Sequence, residues 1–289
     1  MLEKTRKCVG FGAMLLFFGA SGEAATVTIG AAKDAMIFGT SANVDTGNAS
    51  GKGPAIFAGA DGGSSKKRGL IQFDIGSAGI PVGSTITDVT LTLYLAQVAG
   101  SGGGSGGGNY PTRIFGLYDV LQDWGEGNSG SPTSPGVGGT GQGYPRGAGD
   151  STWDYAVFDP SNLNSGKWTA GGIDLHGGNF AATASATSTF TVFTTLNTPY
   201  TWNSPSMVAD VQACVNGTSP NFGWLLRSEN LETSPTSFLG FWTKDGAAAN
   251  NNPAIALPPS LTITYVVPEP GAVLPTFMLA VIVRRKCRR

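Results

Sequence analysis

The residues best suited to chemistry in this sequence are two pairs of carboxylates that flank a long glycine-rich segment. Asp123 and Glu126 precede the segment, and Asp150 and Asp154 follow it. Glycoside hydrolysis needs two carboxyl groups across the scissile bond, but the sequence fixes no distance between these groups. Carboxylates and loop carbonyls also suit calcium, which prefers hard oxygen ligands. The sequence requires no cofactor, and calcium is the one candidate, with Asp45 and these four acids as candidate ligands.

Histidine and cysteine are too scarce for nucleophilic or zinc chemistry. A Ser-His-Asp triad needs a histidine base, and the single histidine, His176, sits in a glycine-rich loop. One histidine and one cysteine cannot supply a three-ligand zinc site without carboxylates. Cys8 and Cys287 lie near the two ends, so Cys214 stands alone in the body and cannot form an internal disulfide. We therefore predict no catalytic residues and a body without bridges.

Aromatic residues in or beside the loops offer a different chemistry. Four of them, Trp124, Trp153, Tyr155 and Trp168, are candidate glycan-binding residues. Sugar rings stack on flat, exposed aromatic faces, with neighbouring polar groups binding the hydroxyls. The alternative is that Trp153 and Trp168 plug the end of the fold as core residues, because indole rings are usually buried.

The N-terminus has the three parts of a secretory signal peptide. Lys4, Arg6 and Lys7 form a basic start, residues 9–20 are apolar, and residues 21–25 are small enough for cleavage. This order predicts a signal peptide over residues 1–25 that signal peptidase removes.

The C-terminus has a second three-part label over residues 267–289. The motif Pro268, Glu269 and Pro270 is followed by a short apolar run and by the basic tail Arg284, Arg285, Lys286, Arg288 and Arg289. This order resembles the PEP-CTERM sorting signal of Gram-negative bacteria. The resemblance implies a transmembrane helix that tethers the precursor to the inner membrane, with the basic tail retained in the cytoplasm. It also implies an exosortase, which cuts at the motif and delivers the protein to the cell surface or extracellular matrix.

The charge of the body argues against nucleic acid as a partner. Without the two labels the chain keeps 10 basic and 16 acidic residues, a net charge of about −6. An acidic surface is poorly suited to binding phosphate backbones.

The pattern of apolar residues predicts an all-β fold. Apolar residues alternate with polar ones at Ile71, Phe73 and Ile75, and again at Val89, Leu91, Leu93 and Leu95. Strict alternation is typical of half-buried strands. Many such short segments, separated by glycine and proline turns, predict a sandwich of antiparallel strands. One short helix is predicted near residues 206–215, with Ser204 as its cap.

Several segments of the body resemble the DNRLRE domain, in the version found with PEP-CTERM signals. They are residues 66–74, 80–93, 123–127, 149–153, 221–226 and 259–265. The resemblance covers residues 26–266 and implies a jelly-roll-like β-sandwich, with some relatives classed as carbohydrate-binding modules. The family usually has a Ser-Arg-Glu step after a late phenylalanine, whereas this chain has residues 238–245 there, without that step.

Taken together, these features predict a non-enzymatic exported protein of the cell surface or extracellular matrix. It is expected to associate with exopolysaccharide, with direct glycan binding as one route. Two alternatives stay open, which are a purely structural surface protein without a ligand and a carbohydrate-active enzyme. Exposed tryptophans would favour glycan binding, buried tryptophans would favour the structural protein, and a cleft with facing carboxylates would favour the enzyme.

Overall fold

The computed structural model describes residues 22–98, 112–130, 143–169, 179–191, 196–246 and 257–268. Most of the predicted signal peptide lies outside these residues. So do Glu269 and Pro270, the apolar run that follows them, and the whole basic tail.

Antiparallel strands dominate the described residues, as the sequence predicts. In chain order they are β1 Glu23–Gly39, β2 Asp45–Ser50, β3 Ala55–Ala60, β4 Lys66–Phe73, β5 Thr85–Val98, β6 Arg113–Asp119, β7 Tyr144–Pro145, β8 Ala186–Phe190, β9 Pro199–Asn203, β10 Trp224–Ser228, β11 Leu239–Trp242 and β12 Ser260–Val267. A 3-10 helix spans Gly76–Ala78, and the α-helix α1 spans Pro205–Val215. The all-β class is confirmed.

The strands form two layers that share β1. In the first sheet, the N-terminal half of β1 pairs with β12, β12 with β5, and β5 with β9. In the second sheet, the C-terminal half of β1 lies between β2 and β4, and β10, β6 and β8 continue from β4. The register of β1 against β4 shifts between Ala31 and Lys33, near the point where β1 passes from one layer to the other. Strands β3 and β11 connect the layers, because β11 pairs with both β5 and β3.

The main core lies between the two sheets. From the first sheet, alternate residues of β5 enter it, and these are the predicted Val89, Leu91, Leu93 and Leu95. From the second sheet, Ile71 and Phe73 of β4 face them, together with Trp224 of β10. The predicted alternation is therefore confirmed for the inward face of both strands.

A second core covers the opposite face of the second sheet. Ile37 of β1, Leu70 of β4 and Leu225 of β10 point into it, and Trp124, Trp153 and Trp168 pack over them from the segments that follow β6. Strand β4 is consequently buried on both faces, and even Arg68 is fully buried. The prediction that β4 is only half-buried is wrong, because loops rather than solvent cover its outer side.

The helix α1 begins where the sequence predicts. The side chain of Ser204 accepts a hydrogen bond from the backbone N–H of Met207 at 3.1 Å, which satisfies one of the free donors at the helix start. Met207 and Val211 are the buried residues of α1, and they enter the main core. The predicted helix and cap are confirmed.

One boundary differs from the sequence prediction. Strand β1 begins at Glu23, inside the predicted signal peptide, and Glu23 pairs with Val267 of β12. Strand β2 pairs with both β1 and β7, although its residues show no apolar alternation. No helix in the described part of the chain is long and apolar enough to cross a membrane.

We predict that Leu91→Ala destabilises the fold by about 2–5 kcal/mol, because Leu91 is fully buried and pairs with Leu261 and Trp202 on either side. The adjacent Thr92→Ala removes a half-buried, outward side chain and should cost less than about 1 kcal/mol. Urea unfolding of both variants measures the difference. Equal losses would contradict the assignment of inward and outward faces.

Candidate functional site

The structure buries the four aromatic residues predicted to bind glycans. Trp124 is 2 % exposed, Trp153 1 %, Tyr155 7 % and Trp168 2 %. The indole N–H groups of Trp124 and Trp168 donate to the carbonyls of Phe222 and Thr152 at 2.8 and 2.9 Å. None of these rings presents a face to solvent, so their prediction as a sugar-stacking platform is wrong. The alternative, in which Trp153 and Trp168 are core residues, is confirmed.

The five predicted calcium ligands are not brought together. Asp150 is fully buried and accepts hydrogen bonds from the backbone N–H groups of Asn128, Ser129 and Gly147, at 2.9, 3.2 and 2.6 Å. It also accepts one from the Ser129 hydroxyl. Its oxygens hold the loop after β6, and the prediction of Asp150 as a calcium ligand is wrong for that reason.

Asp45 and Asp154 are neighbours, but neither they nor Asp123 belong to a group of three metal-ligating side chains in the described residues. Asp45 accepts from Arg146 at 2.6 Å and from the hydroxyl of Thr152 at 2.8 Å. Asp123 is largely exposed and pairs with Lys33 at 3.1 Å. The pKa of Asp154 is raised by burial and by the neighbouring charge of Asp45. Of the five candidate ligands, only Glu126 therefore belongs to a carboxylate group in the described residues.

Glu126 alone joins a compact acidic group, and its partners were not predicted. Asp34 of β1 and Asp245, just after β11, each place a carboxylate oxygen within 4.8 Å of the other two acids. Lys52 and Lys244 lie against this group. Lys52 approaches Glu126 at 2.5 Å and Asp245 at 3.6 Å, and Lys244 approaches them at 2.6 and 2.8 Å. We call these five residues the acid–lysine cluster.

Asp34 is the unusual member of the cluster. Its Oδ2 accepts a hydrogen bond from the backbone N–H of Lys244 at 2.8 Å. Its Oδ1 is buried and has no hydrogen-bond partner among the described residues. Burial raises the pKa of Asp34 to about 7, and the charges of Glu126 and Asp245 add to that rise. A buried carboxylate oxygen without a donor is costly, since it loses its water without replacement.

Lys244 responds to the acids of the cluster with a pKa shift of its own. Burial alone would lower the pKa of Lys244, but hydrogen bonds to Asp245 and Glu126 raise it above its usual range. Lys244 is therefore firmly protonated. The three acids with the two ammonium groups carry a net charge of −1 when Asp34 is ionised and 0 when it is protonated.

One sequence signal could have pointed to this cluster. Asp34 is the only acidic residue in the otherwise largely apolar run of residues 31–38, and an acid inside an apolar strand needs a reason. Glu126 and Asp245 give no such signal, because both lie in polar loop sequence.

A second feature is a hydroxyl-rich outer surface on the first sheet, which we call the threonine face. It consists of Thr26, Thr28, Asp88, Thr90, Thr92, Thr201, Asn203, Ser260, Thr262 and Thr264. Thr28, Thr262, Thr90 and Asn203 form one row across four strands. The hydroxyls of Thr28 and Thr262 are 3.0 Å apart, and those of Thr26 and Thr264 are 3.1 Å apart. Asp88 is the only charged residue on this face.

An open pocket lies beside α1, at the ends of β4 and the 3-10 helix. Asp74 is the only acidic residue in its lining, which also includes Lys33, Gln72, Cys214 and Asn221. Cys214 is a half-buried free thiol whose pKa is raised by burial to about 11, so the thiolate is scarce at neutral pH.

The sorting motif is described only at its first residue. Pro268 is exposed and follows β12 directly. No family model matches the chain, and no curated protein matches it. The resemblances to the DNRLRE domain and to the PEP-CTERM signal therefore stay predictions.

We predict that Asp34→Asn stabilises the protein at pH 8 in a chelated sample. Folded Asp34 keeps its proton up to about pH 7, whereas unfolded Asp34 loses it near pH 3.8, so the wild type loses stability as pH rises between these values. Asparagine removes this loss, worth up to roughly 4 kcal/mol. Thermal unfolding at pH 4 and pH 8 measures the change.

The matched control is Asp74→Asn. Asp74 is exposed and accepts from Ser77, which lowers its pKa, so its contribution exists at neutral pH and is lost as pH falls. This substitution should lower stability at pH 8, opposite to Asp34→Asn. A lower stability of Asp34→Asn at pH 8 would contradict the account of the buried, unpartnered oxygen.

Proposed function

We propose that the chain is a non-enzymatic protein exported to the cell surface or extracellular matrix of a Gram-negative bacterium, where it serves as a structural component. The observation that carries this proposal is that the tryptophans are built into the fold instead of being displayed on its surface. Five of the six are at most 2 % exposed, and the sixth, Trp242, is half-buried and donates its indole N–H to Asn197 at 2.8 Å. None of the six tryptophans therefore presents a fully exposed ring on which a sugar could stack.

The terminal labels support the exported location. The basic and apolar start predicts secretion, and the motif at residues 268–270 with its apolar run and basic tail predicts processing by an exosortase. Cys214 is a free thiol, so a body that leaves the cytoplasm relies on its core rather than on a disulfide in the described residues, and the two cores fit that requirement.

The threonine face favours a second candidate function, which is association with a neutral exopolysaccharide. Its hydroxyls stand in rows across four strands, and hydroxyls can donate to and accept from the hydroxyls of sugars. The near absence of charge on this face fits a neutral polymer better than an acidic one, because Asp88 would repel an acidic chain.

We expect export to depend on the sorting motif. When the tagged chain is expressed in a Gram-negative host with an exosortase, replacing residues 268–270 with alanine should leave the precursor in the inner membrane. The unaltered chain should appear outside the cell with its C-terminal tail removed. Fractionation and mass spectrometry of both proteins measure this. Equal processing of the two would contradict the sorting proposal.

Co-sedimentation of the processed protein with insoluble neutral polysaccharides separates the two functions. Three proteins are compared. The first is the wild type, and the second is a double variant of the threonine face, Thr28→Lys with Thr201→Lys. The third is the matched control, the double variant Thr187→Lys with Thr189→Lys. Thr28 and Thr201 are exposed on the two outer strands of the first sheet, and Thr187 and Thr189 are exposed on β8 of the second.

A structural component without a ligand predicts that none of the three proteins sediments. Association through the threonine face predicts sedimentation of the wild type and the control, and at least a tenfold loss in the first variant, since about 1.4 kcal/mol of binding energy corresponds to that factor. Sedimentation of all three proteins would contradict both functions as stated.

A further inference from the structure

The acid–lysine cluster contains an oxygen that its own lysines do not satisfy. Lys52 and Lys244 each contact Glu126 and Asp245, but the Oδ1 atom of Asp34 has no hydrogen-bond partner in the described structure. Asp34 is 1 % exposed, and one of its carboxylate oxygens lies within 4.8 Å of a carboxylate oxygen of each of the other two acids. A buried, unpartnered carboxylate oxygen beside two other carboxylates indicates a missing positive partner.

We propose that Asp34, Glu126 and Asp245 form a structural calcium site. The three ligands come from β1, from the loop after β6 and from the turn after β11, so a bound ion would join three segments that are distant in sequence.

The spacing of the oxygens fits this ion. Calcium binds oxygen at about 2.3–2.6 Å, so ligands on opposite sides of one ion stand about 4.6–5.2 Å apart. One oxygen from each acid lies within 4.8 Å of the others. Three carboxylates offer up to six oxygens, and water can complete the shell. Magnesium demands near-ideal octahedral geometry at about 2.0–2.1 Å and usually keeps several waters, so calcium is the better match for three carboxylates from separate segments.

The ammonium groups of Lys52 and Lys244 compete with calcium for the carboxylates of the cluster. Their side chains are 26 % and 20 % exposed, so each ammonium group can turn toward water while its stem stays in place. Displacing them leaves three carboxylates around one divalent ion. The lysines therefore hold the cluster together without the ion, and calcium replaces them while also reaching Asp34.

Calcium would stabilise the covering loop as well as the cluster. The loop that carries Glu126 also carries Trp124, which packs on the outer face of the second sheet. Glu126 already accepts from the backbone N–H of Asp34 at 3.1 Å, so the ligand geometry is partly fixed before the ion arrives. Ion binding to the folded chain alone raises its stability by mass action.

Calorimetric and thermal titration of the chelated protein with calcium chloride tests the proposal. We expect one ion per chain, with a dissociation constant of roughly 0.1–1 mM, as in extracellular calcium modules. The melting temperature should rise by about 3–6 °C at a calcium concentration roughly ten times that constant. Absence of both heat and a thermal shift would overturn the proposal.

Four variants locate the site. Asp34→Asn and Asp245→Asn should each abolish the calcium-induced shift, and their melting in chelator shows that both remain folded. Asp123→Asn is the matched control, because Asp123 lies in the same loop as Glu126 but pairs with Lys33 instead. Lys52→Gln should tighten calcium binding several-fold by removing a competitor. A calcium response that survives in both cluster variants, that disappears in Asp123→Asn, or that weakens in Lys52→Gln would refute this site.

Discussion

The need to cover both faces of the second sheet governs the rest of the structure. Its inner face packs against the first sheet, as in any β-sandwich, but its outer face is apolar too, with Ile37, Leu70 and Leu225 pointing outward. Loops cover that outer face, and loops have few regular apolar positions. Large rings can provide this cover, because one indole buries more apolar surface than one aliphatic side chain. Trp124, Trp153 and Trp168 are therefore required where they lie.

Double burial also constrains the charged residues of the second sheet. Arg68 is fully buried in β4, where its Nε and Nη2 donate to the two carboxylate oxygens of Glu232 at 2.6 and 2.8 Å. Its guanidinium lies 4.6 Å from the centre of the Trp153 ring. A buried charge is tolerated only when it is paired and hydrogen-bonded in this way. Lys67 is similarly buried and pairs with Asp61 at 2.9 Å.

Asp34 departs from the rule that a buried charge is fully hydrogen-bonded, and this departure distinguishes the acid–lysine cluster. Arg68 and Lys67 each have an acidic partner, whereas Oδ1 of Asp34 has no hydrogen-bond partner in the described structure. Its position in β1, beside β4, leaves little room for movement. The raised pKa and the proposed cation are two ways of relieving the same unfavourable burial, by a proton or by an ion.

The sequence predicted those features that depend on neighbouring residues. The alternation in β5 and the Ser204 cap of α1 are local patterns, and both are found in the structure. The double burial of β4 was missed because its cover includes Trp124, Trp153, Trp168 and Phe180, which follow no periodic pattern in the sequence. Because no periodic pattern surrounds the tryptophans, the sequence could not decide whether they bind sugars or belong to the core. The cluster was missed because Lys244 is 210 residues from Asp34, and no spacing motif joins them.

Iodide quenching of tryptophan fluorescence tests the central claim most directly, since iodide reaches only exposed rings. The account predicts that the native protein resists quenching and emits at short wavelength, and that both properties change together when urea unfolds the chain. The claim that the aromatic residues build the fold would be contradicted if the native protein were quenched as strongly as the unfolded chain.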